Sequence, residues 1–479
     1  MDKALIKNKS YINGKWTCEG NKTFKVSNPA NGKTIGYVND GGIEITKKGI
    51  ESAYKAYKYW SQYTAKDRSM ILEKWNNLIL EKSDSLAEII TLECGKPINE
   101  SKTEVTYAAS FVKWFAEEGK RTYGDIIPSH TKDRRINVIK QPIGVVAAIT
   151  PWNFPLAMIT RKVSPALAVG CTVVIKPADE TPFSALALAH LADKAGFPPG
   201  VFNLIVGKDS ARIGKTMCEN NLVKKISFTG STKIGQLLMS QSSKTLKKLS
   251  LELGGNAPFI VFEDANIDSA VEGAILSKFR NSGQTCVCVN RFLVHEKVYD
   301  EFTSKFLLAV SKLKVGNGMD DYVNIGPLIN NEAIKKTESF VKDALKNGGK
   351  LLTGGKVINK YFFEPTIIVN ANSKMRLAKE EIFGPVCPIF KFSSDEEVIN
   401  MANDTIYGLA SYFYSKDINR CWKIAEKLEY GMVGINEGLI STEIAPFGGV
   451  KFSGQGREGS KYGIEDYLEI KYMCFGNIK

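Results

Sequence analysis

The chain of 479 residues is 43% hydrophobic and 24% charged, the balance of an ordinary globular protein and not of a fibrous or disordered one, and it is too long for one compact core, so two or three domains are expected. Its net charge of +13 comes from lysines scattered among acids, without the basic run or arginine-rich helix that marks a nucleic-acid face; no nucleic-acid partner is expected, although a positive field suits an anionic ligand. The start, MDKALIKNKSYINGKW, has no apolar leader core with a cleavage site, and no window reaches the ~18 apolar residues of a membrane span, so a cytoplasmic protein without a membrane partner is expected.

In chain order, YGDIIPSHTKDRRINVIKQ, residues 123–141, stands outside the strand–helix rhythm that follows it and reads as two extended runs around a polar turn. From Gly144 short apolar runs alternate with helical patterns: GVVAAIT, a helix through ITRKVSPALAVG, TVVIKP, a helix from Thr181, FNLIVG, another helix, then KISFTG. Such alternation predicts βαβ units, a parallel sheet and helices on both faces. Thr181 followed by Pro182 predicts an N-cap and a proline at the first helical position. After Glu252 the rhythm resumes with APFIVFE, a helix from about Ile267 to Arg280, RFLVHEK, and a helix through YDEFTSKFLLAVSKL, predicting a second α/β domain. The C-terminal DYLEIKYMCFG reads as a further strand, and such extended arms pair with other chains, so an oligomer is expected.

Cysteine usage bears on chemistry. The 9 cysteines are dispersed, with no CxxC pair and no Cys/His cluster, which argues for reduced thiols and against a disulfide framework or a metal site. Two of them stand one residue apart in RNSGQTCVCVNR, residues 280–291. A cysteine is a nucleophile only as thiolate, so something must lower its pKa or accept its proton. The polar residues Asn281 to Thr285 are a poor place to bury an inert thiol. The chain has 3 histidines, and His295, inside RFLVHEK, reads as strand packing, so the base is sought among carboxylates. Glu252 follows an apolar run and precedes Gly254-Gly255, where a strand ends and backbone can be approached closely; a carboxylate in a partly apolar site has its pKa raised towards neutrality and suits the role.

TPWNFP (150–155), VIKPADETPFS (174–184), FTGSTKIG (228–235), LELGGNAPFIV (251–261), GQTC (283–286), EEIFGPV (380–386) and APFGGVKFSGQGREG (445–459) resemble, in order, the signature blocks of the NAD(P)-dependent aldehyde dehydrogenases, over nearly the whole chain. The resemblance implies a Rossmann-type cofactor domain (1–121 and 142–252, with 438–458 returning to it), an α/β catalytic domain (253–437) and a small β oligomerisation arm (122–141 and 459–479). It implies that Cys286 attacks the aldehyde to give a thiohemiacetal, that Asn153 donates to the oxyanion, and that Glu252 activates the water that hydrolyses the resulting thioester. The loop Gly230 to Gly235, with Ser231, opens a helix after a strand, where phosphate is received. The family places Lys176 on the adenosine ribose, and Asp179 stands where a carboxylate hydrogen-bonds ribose hydroxyls and repels a 2′-phosphate, favouring NAD over NADP. Glu381 and Phe383 match the pair that holds the nicotinamide ribose and packs by the ring, with Trp152 counted beside them.

ITRKVSPALAVGCTVVIKP, KFRNSGQTCVC and GREGSKYGIEDYLEIKYMC are similar to one branch, the succinate-semialdehyde dehydrogenases. In that branch arginines and a serine meet the substrate's far carboxylate, and Arg161, Arg280 and Ser441 fit those positions; glutarate semialdehyde is the alternative substrate, and 4-aminobutyrate breakdown the implied setting. Cys288 also matches the branch, where a Cys-x-Cys pair acts as a redox switch in some members, as an accessible low-pKa thiol beside a resolving thiol can. A dimer or tetramer is implied, and no metal.

Overall fold

The computed structural model describes residues 2–478. Its largest sheet has 8 strands in the order Lys15–Thr17, Ser10–Ile12, Phe202–Leu204, Thr172–Lys176, Val145–Ile149, Val223–Thr229, Lys248–Glu252 and Gly454–Gln455. The run from Phe202–Leu204 to Lys248–Glu252 is parallel. From Val145–Ile149 the chain steps outward to Thr172–Lys176 and Phe202–Leu204, then crosses to the other side at Val223–Thr229. The order therefore reverses between Val145–Ile149 and Val223–Thr229, and the carboxyl ends of strands at such a switch point are where α/β sheets hold their ligands.

A second sheet of 7 strands runs Lys350–Thr353, Thr366–Val369, Val386–Phe392, Val289–His295, Ala257–Val261, Ala410–Tyr414, Met432–Ile435. All its pairings are parallel except that of Lys350–Thr353. Ala257–Val261 and Val289–His295 are buried at every position; the first is a continuous apolar run, and the second encloses Asn290 and Arg291 before its apolar stretch 292–294. The segment 123–141 and the C-terminus form the expected extended arm: Leu468–Phe475 pairs antiparallel with Arg135–Pro142, which pairs with Asp125–Ile127. The arm leaves Ile126 85%, Ile470 70% and Tyr472 61% exposed.

The helix Ala157–Val169 is buried at every position, which explains its lack of a polar face, yet it carries Arg161 and Lys162. Helix Pro182–Ala195 begins with the proline as expected, but the predicted Thr181 cap is not made. Instead the Glu93 carboxylate accepts from the amides of Phe183 at 2.8 Å and Ser184 at 2.7 Å. The carboxyl's two oxygens reach two of the helix's unpaired amides where the Thr181 hydroxyl could reach one, although burial raises the Glu93 pKa to about 8. Among the described residues no helix is long and apolar enough to cross a membrane.

Candidate active site

The segment before Cys286 leaves helix Ile267–Phe279 through an unusual turn. Asn281 (φ 50°) and Ser282 (φ 58°) are left-handed without being glycine, and Gly283 (φ 77°) continues the bend. A side chain on Gly283 would also sit 2.5 Å from the Gly384 carbonyl oxygen. The polar loop is not solvated, contrary to the expectation from its composition: Asn281, Ser282, Gln284 and Thr285 are 1%, 1%, 0% and 4% exposed. Burial is tolerated because the loop's side chains are satisfied by backbone, mostly of a distant segment: Ser282 Oγ donates to the Gly326 carbonyl at 2.9 Å, Gln284 Nε2 to that of Asn281 at 3.1 Å, and Gln284 Oε1 accepts from Ile329 N at 3.0 Å. Cys286 alone in this loop stays partly exposed, on the wall of a cavity of about 290 Å³. Gly255 lets it sit there, because a Cβ at that position would lie 2.5 Å from the Cys286 carbonyl oxygen.

Asn153 follows strand Val145–Ile149 at the switch point and lines the same cavity. Its Nδ2 donates one hydrogen to the Gln284 carbonyl at 2.9 Å, which ties it to the cysteine loop and leaves the second hydrogen for a ligand. Behind it, the Lys96 ammonium donates to the Asn153 carbonyl at 2.7 Å and to Glu104 at 2.5 Å, both charged side chains being 0% exposed. Glu104 also accepts from Leu156 N at 2.9 Å, at the start of helix Ala157–Val169.

The electrostatics correct one expectation. Burial pushes the Cys286 thiol up to about 12, with Arg161 opposing and the Glu252 and Glu381 charges adding to the rise. Burial outweighs the acidifying pull of Arg161 and Arg280, which leaves the second of the two routes, a base that accepts the thiol proton as it reacts. Glu252, at the end of strand Lys248–Glu252 as expected, is 2% exposed. Burial first, and Glu458 second, hold its carboxyl well above the usual range. Its Oε2 has no hydrogen-bond partner among the described residues, so the group is both proton-avid and free to accept. Cys288 is neither accessible nor acidified: it is 3% exposed, its thiol is pushed up by burial, and its Sγ donates to the Lys278 carbonyl at 3.3 Å.

Three clusters meet at the cavity. On one side Thr229, Gly230 and Ser231 end strand Val223–Thr229, and Ser231 caps helix Thr232–Ser242 by accepting from Ile234 N; Gly235, one turn in, packs against Leu253. On another, Glu381 accepts from Gly255 N at 3.1 Å, and Trp152 meets Phe383 edge-on at 5.8 Å. Phe383 has φ 55°, a strained conformation of the kind that functional sites hold. Lys176 and Asp179 lie away from the cavity wall, at the carboxyl end of Thr172–Lys176, where Lys176 is buried and donates to the Pro177 carbonyl at 2.6 Å. An unpartnered buried Thr229 hydroxyl among the described residues, a helix N-terminus and two lysines (Lys176 and cavity-lining Lys336) as donors, with the Glu381 carboxylate as acceptor, make a polar set that fits a dinucleotide.

The third cluster is cationic. Arg161, Arg280 and Ser441 line the cavity with Cys286. Glu458 accepts from Arg161 Nε and from Lys162 Nζ, both at 2.5 Å, so two buried cations share one partner carboxylate. Arg161 stacks on Phe447 at 4.1 Å, and its second terminal nitrogen has no partner among the described residues. Arg280 lies over Phe154 at 5.1 Å. A cavity lined by a partly exposed thiol, an amide donor and two arginines suits a small electrophile with an anionic tail. The pattern of the aldehyde dehydrogenase family matches residues 16–473.

The chain belongs to the aldehyde dehydrogenase family. It is 57% identical to a glutarate-semialdehyde dehydrogenase of Pseudomonas putida, covering 99% of this chain and 98% of that one. It is also 57% identical to a succinate-semialdehyde dehydrogenase [NADP(+)] of Escherichia coli, covering 99% of each. The crystal structure of a succinate-semialdehyde dehydrogenase from Burkholderia pseudomallei superposes with a TM-score of 0.98 at 56% identity, again over 99% of each chain.

Several residues of this aldehyde dehydrogenase site are absent from the sequence reading. Tyr107, Phe154, Phe447 and Lys336 line the cavity, and Lys96, Glu104 and Glu458 stand behind it. Helix Ile98–Glu118 did carry a signal: Glu100, Glu104 and Tyr107 recur at helical spacing, so one stripe of an otherwise ordinary helix faces the chemistry.

Proposed function

We propose that the enzyme oxidises succinate semialdehyde to succinate, using NAD. The observation that carries the substrate is the arrangement of Arg161, Arg280 and Ser441 on one cavity with Cys286. A short chain bearing a carboxylate at one end and an aldehyde at the other spans from the arginines to the thiol. Both succinate- and glutarate-semialdehyde dehydrogenases stand among the relatives, so glutarate semialdehyde is the second reading.

The aldehyde carbonyl lies over Cys286 with its oxygen toward the free Asn153 Nδ2 hydrogen and the Cys286 backbone N–H. As the sulfur adds, the thiol proton leaves to Glu252 and the developing oxyanion gains a donor worth roughly 3 to 4 kcal/mol. Bound NAD supplies the acceptor for the hydride lost by the adduct. A thioester remains on Cys286. Once Glu252 has released the thiol's proton to solvent, its carboxylate takes a proton from water as that water attacks the thioester, and the departing thiolate is reprotonated as the acid is released. Because its pKa is raised, Glu252 lacks its base form at acid pH and gains it as pH rises. The kcat profile therefore has an acid limb above the ordinary carboxylate range, and Glu252→Gln is expected to remove that limb and to slow NADH formation in the first turnover as well, since the same carboxylate takes the thiol proton; a full-rate burst of NADH followed by slow turnover would confine Glu252 to hydrolysis.

Lys176, Ser231, Lys336 and Glu381 would hold the dinucleotide. Asp179 and Glu180 both bear on Lys176 electrostatically, and two acids at the adenosine ribose disfavour a 2′-phosphate. Asp179→Ser is expected to shift the NADP to NAD ratio of kcat/KM by at least about tenfold, or ~1.4 kcal/mol, toward NADP; an unchanged ratio would assign the preference elsewhere.

The substrate reading is tested with Arg280→Ala, chosen because Arg161→Ala would also strip Glu458 of a partner. Loss of a hydrogen bond to a charged group lowers kcat/KM for succinate semialdehyde about 10- to 100-fold, while butanal is used as before. Equal losses for both aldehydes sink the carboxylate clamp. We assign the first sheet to the cofactor, the second to Cys286 and its loop, and the exposed arm to pairing with other copies, which sedimentation of the intact chain reads directly. Cys288 fits a packing role better than that of a redox partner.

A further inference from the structure

We propose that Glu100 is a positioning residue for the nucleophile: its carboxylate grips the amide of Asn281 and holds the left-handed turn that sets Cys286 against Asn153. The inference rests on the assignment of Cys286 as nucleophile. Glu100 Oε2 accepts from Asn281 N at 2.7 Å. That amide belongs to the first of three successive left-handed residues, two of them non-glycine (Asn281 at φ 50° and ψ 39°, Ser282 at φ 58° and ψ 29°). Such a turn persists only where its surroundings over-determine it.

The grip is transmitted directly. From the same residue, Asn281 Nδ2 donates to the Asn153 carbonyl at 3.1 Å and to that of Gln284 at 3.4 Å, while Asn153 Nδ2 returns to the Gln284 carbonyl at 2.9 Å. Relaxation of the turn would therefore move the thiol and the oxyanion donor relative to each other. Glu100 occupies the first turn of helix Ile98–Glu118, on the stripe that also sends Glu104 to Lys96 and Tyr107 to the cavity. The charged groups facing it are Lys96 and Arg280, which favour its carboxylate, and Glu104, which opposes it. Burial, the largest influence, raises its pKa to about 7, so the grip strengthens as pH rises through neutrality and loosens below it.

The test uses the full-length enzyme with NAD and butanal, which bypasses the arginine clamp, and reads kcat/KM, the rate of Cys286 alkylation by iodoacetamide, NAD affinity and melting temperature for Glu100→Ala and Glu100→Gln. Glu100→Ala is expected to lose about 10- to 100-fold in kcat/KM, the factor carried by a hydrogen bond to a charged group, with NAD affinity kept within about twofold. Glu100→Gln retains an acceptor oxygen without the charge, so it is expected to recover most of that loss and to flatten the change in alkylation rate between pH 6 and pH 8 beyond that of a plain thiol. Should Glu100→Ala fail to fold, the altered pH response of Glu100→Gln decides alone. An alanine variant within about twofold of the parent, or a glutamine variant with the parent's pH response, overturns the proposal. Cys286→Ala is run alongside: activity surviving there sinks the nucleophile assignment itself, whereas activity lost there but intact in Glu100→Ala sinks only the role of Glu100.

Discussion

Cys286→Ala is expected to lose aldehyde oxidation by about 10⁴-fold or more, the scale on which removing one member of a nucleophilic constellation acts, while binding NAD with the parent's affinity. The reason is geometric as well as chemical. Asn153 and the Arg161/Arg280 wall remain in place without the thiol, but neither can form a covalent bond. The parent's thiol has a second signature. With its pKa pushed up to about 12 by burial, the cofactor-free enzyme's alkylation rate should still be climbing at about pH 10, where an ordinary surface thiol has levelled off. A plateau below about pH 8 would show a pre-formed thiolate and overturn the protonated resting state. The measurement is iodoacetamide labelling followed by peptide mass, which reports Cys286 and Cys288 separately; Cys288, 3% exposed, should lag throughout.

A protonated resting thiol is consistent with a base that is also buried. A carboxylate held above its ordinary range accepts the proton of a thiol at about 12 with less mismatch than a surface carboxylate would, and it is the ionised fraction of Glu252, growing with pH, that does so. The unshared positive charge near Arg161 then falls to the incoming anion.

The strands that carry this site were readable because short apolar or β-branched runs bounded by glycine and proline alternate with helical patterns, as in TVVIKP, KISFTG and APFIV. The position of Glu252 was readable for the same reason, a polar residue where such a run stops. What could not be read was whatever depends on a partner distant along the chain. Glu458 reaches Arg161 across a separation of 297 residues, and Glu93 replaces the Thr181 cap across 90. No local pattern ties those pairs together. The loop Asn281 to Thr285 looked solvated because its side chains are polar; it is buried because those side chains bond to backbone at Asn281, Gly326 and Ile329, which only the folded chain brings together. The thiol's pKa followed the same fate, since desolvation is a property of the enclosure and not of the neighbours in sequence.

Glu104→Leu is expected to destabilise the fold by about 3 to 5 kcal/mol, the cost of leaving one member of a buried ion pair without its counterpart. It strands the Lys96 ammonium with the Asn153 carbonyl as its remaining acceptor and uncaps the amides of Leu156 and Ala157. Lys96→Met should cost less, toward the lower end of that range, because Glu104 would keep both helix amides and the positive end of helix Ala157–Val169. The double variant should cost less than the sum of the two, since no unpaired charge remains, and a double-mutant cycle on urea unfolding reads the difference as a coupling of about 1 to 3 kcal/mol. Additive losses would mean that the pair is not the unit of stability here. Lys96→Met has a functional arm too: freeing the Asn153 carbonyl lets the oxyanion donor drift, so kcat falls even in the fraction that remains folded, whereas a pair acting on stability alone would leave kcat per folded molecule at the parent's value.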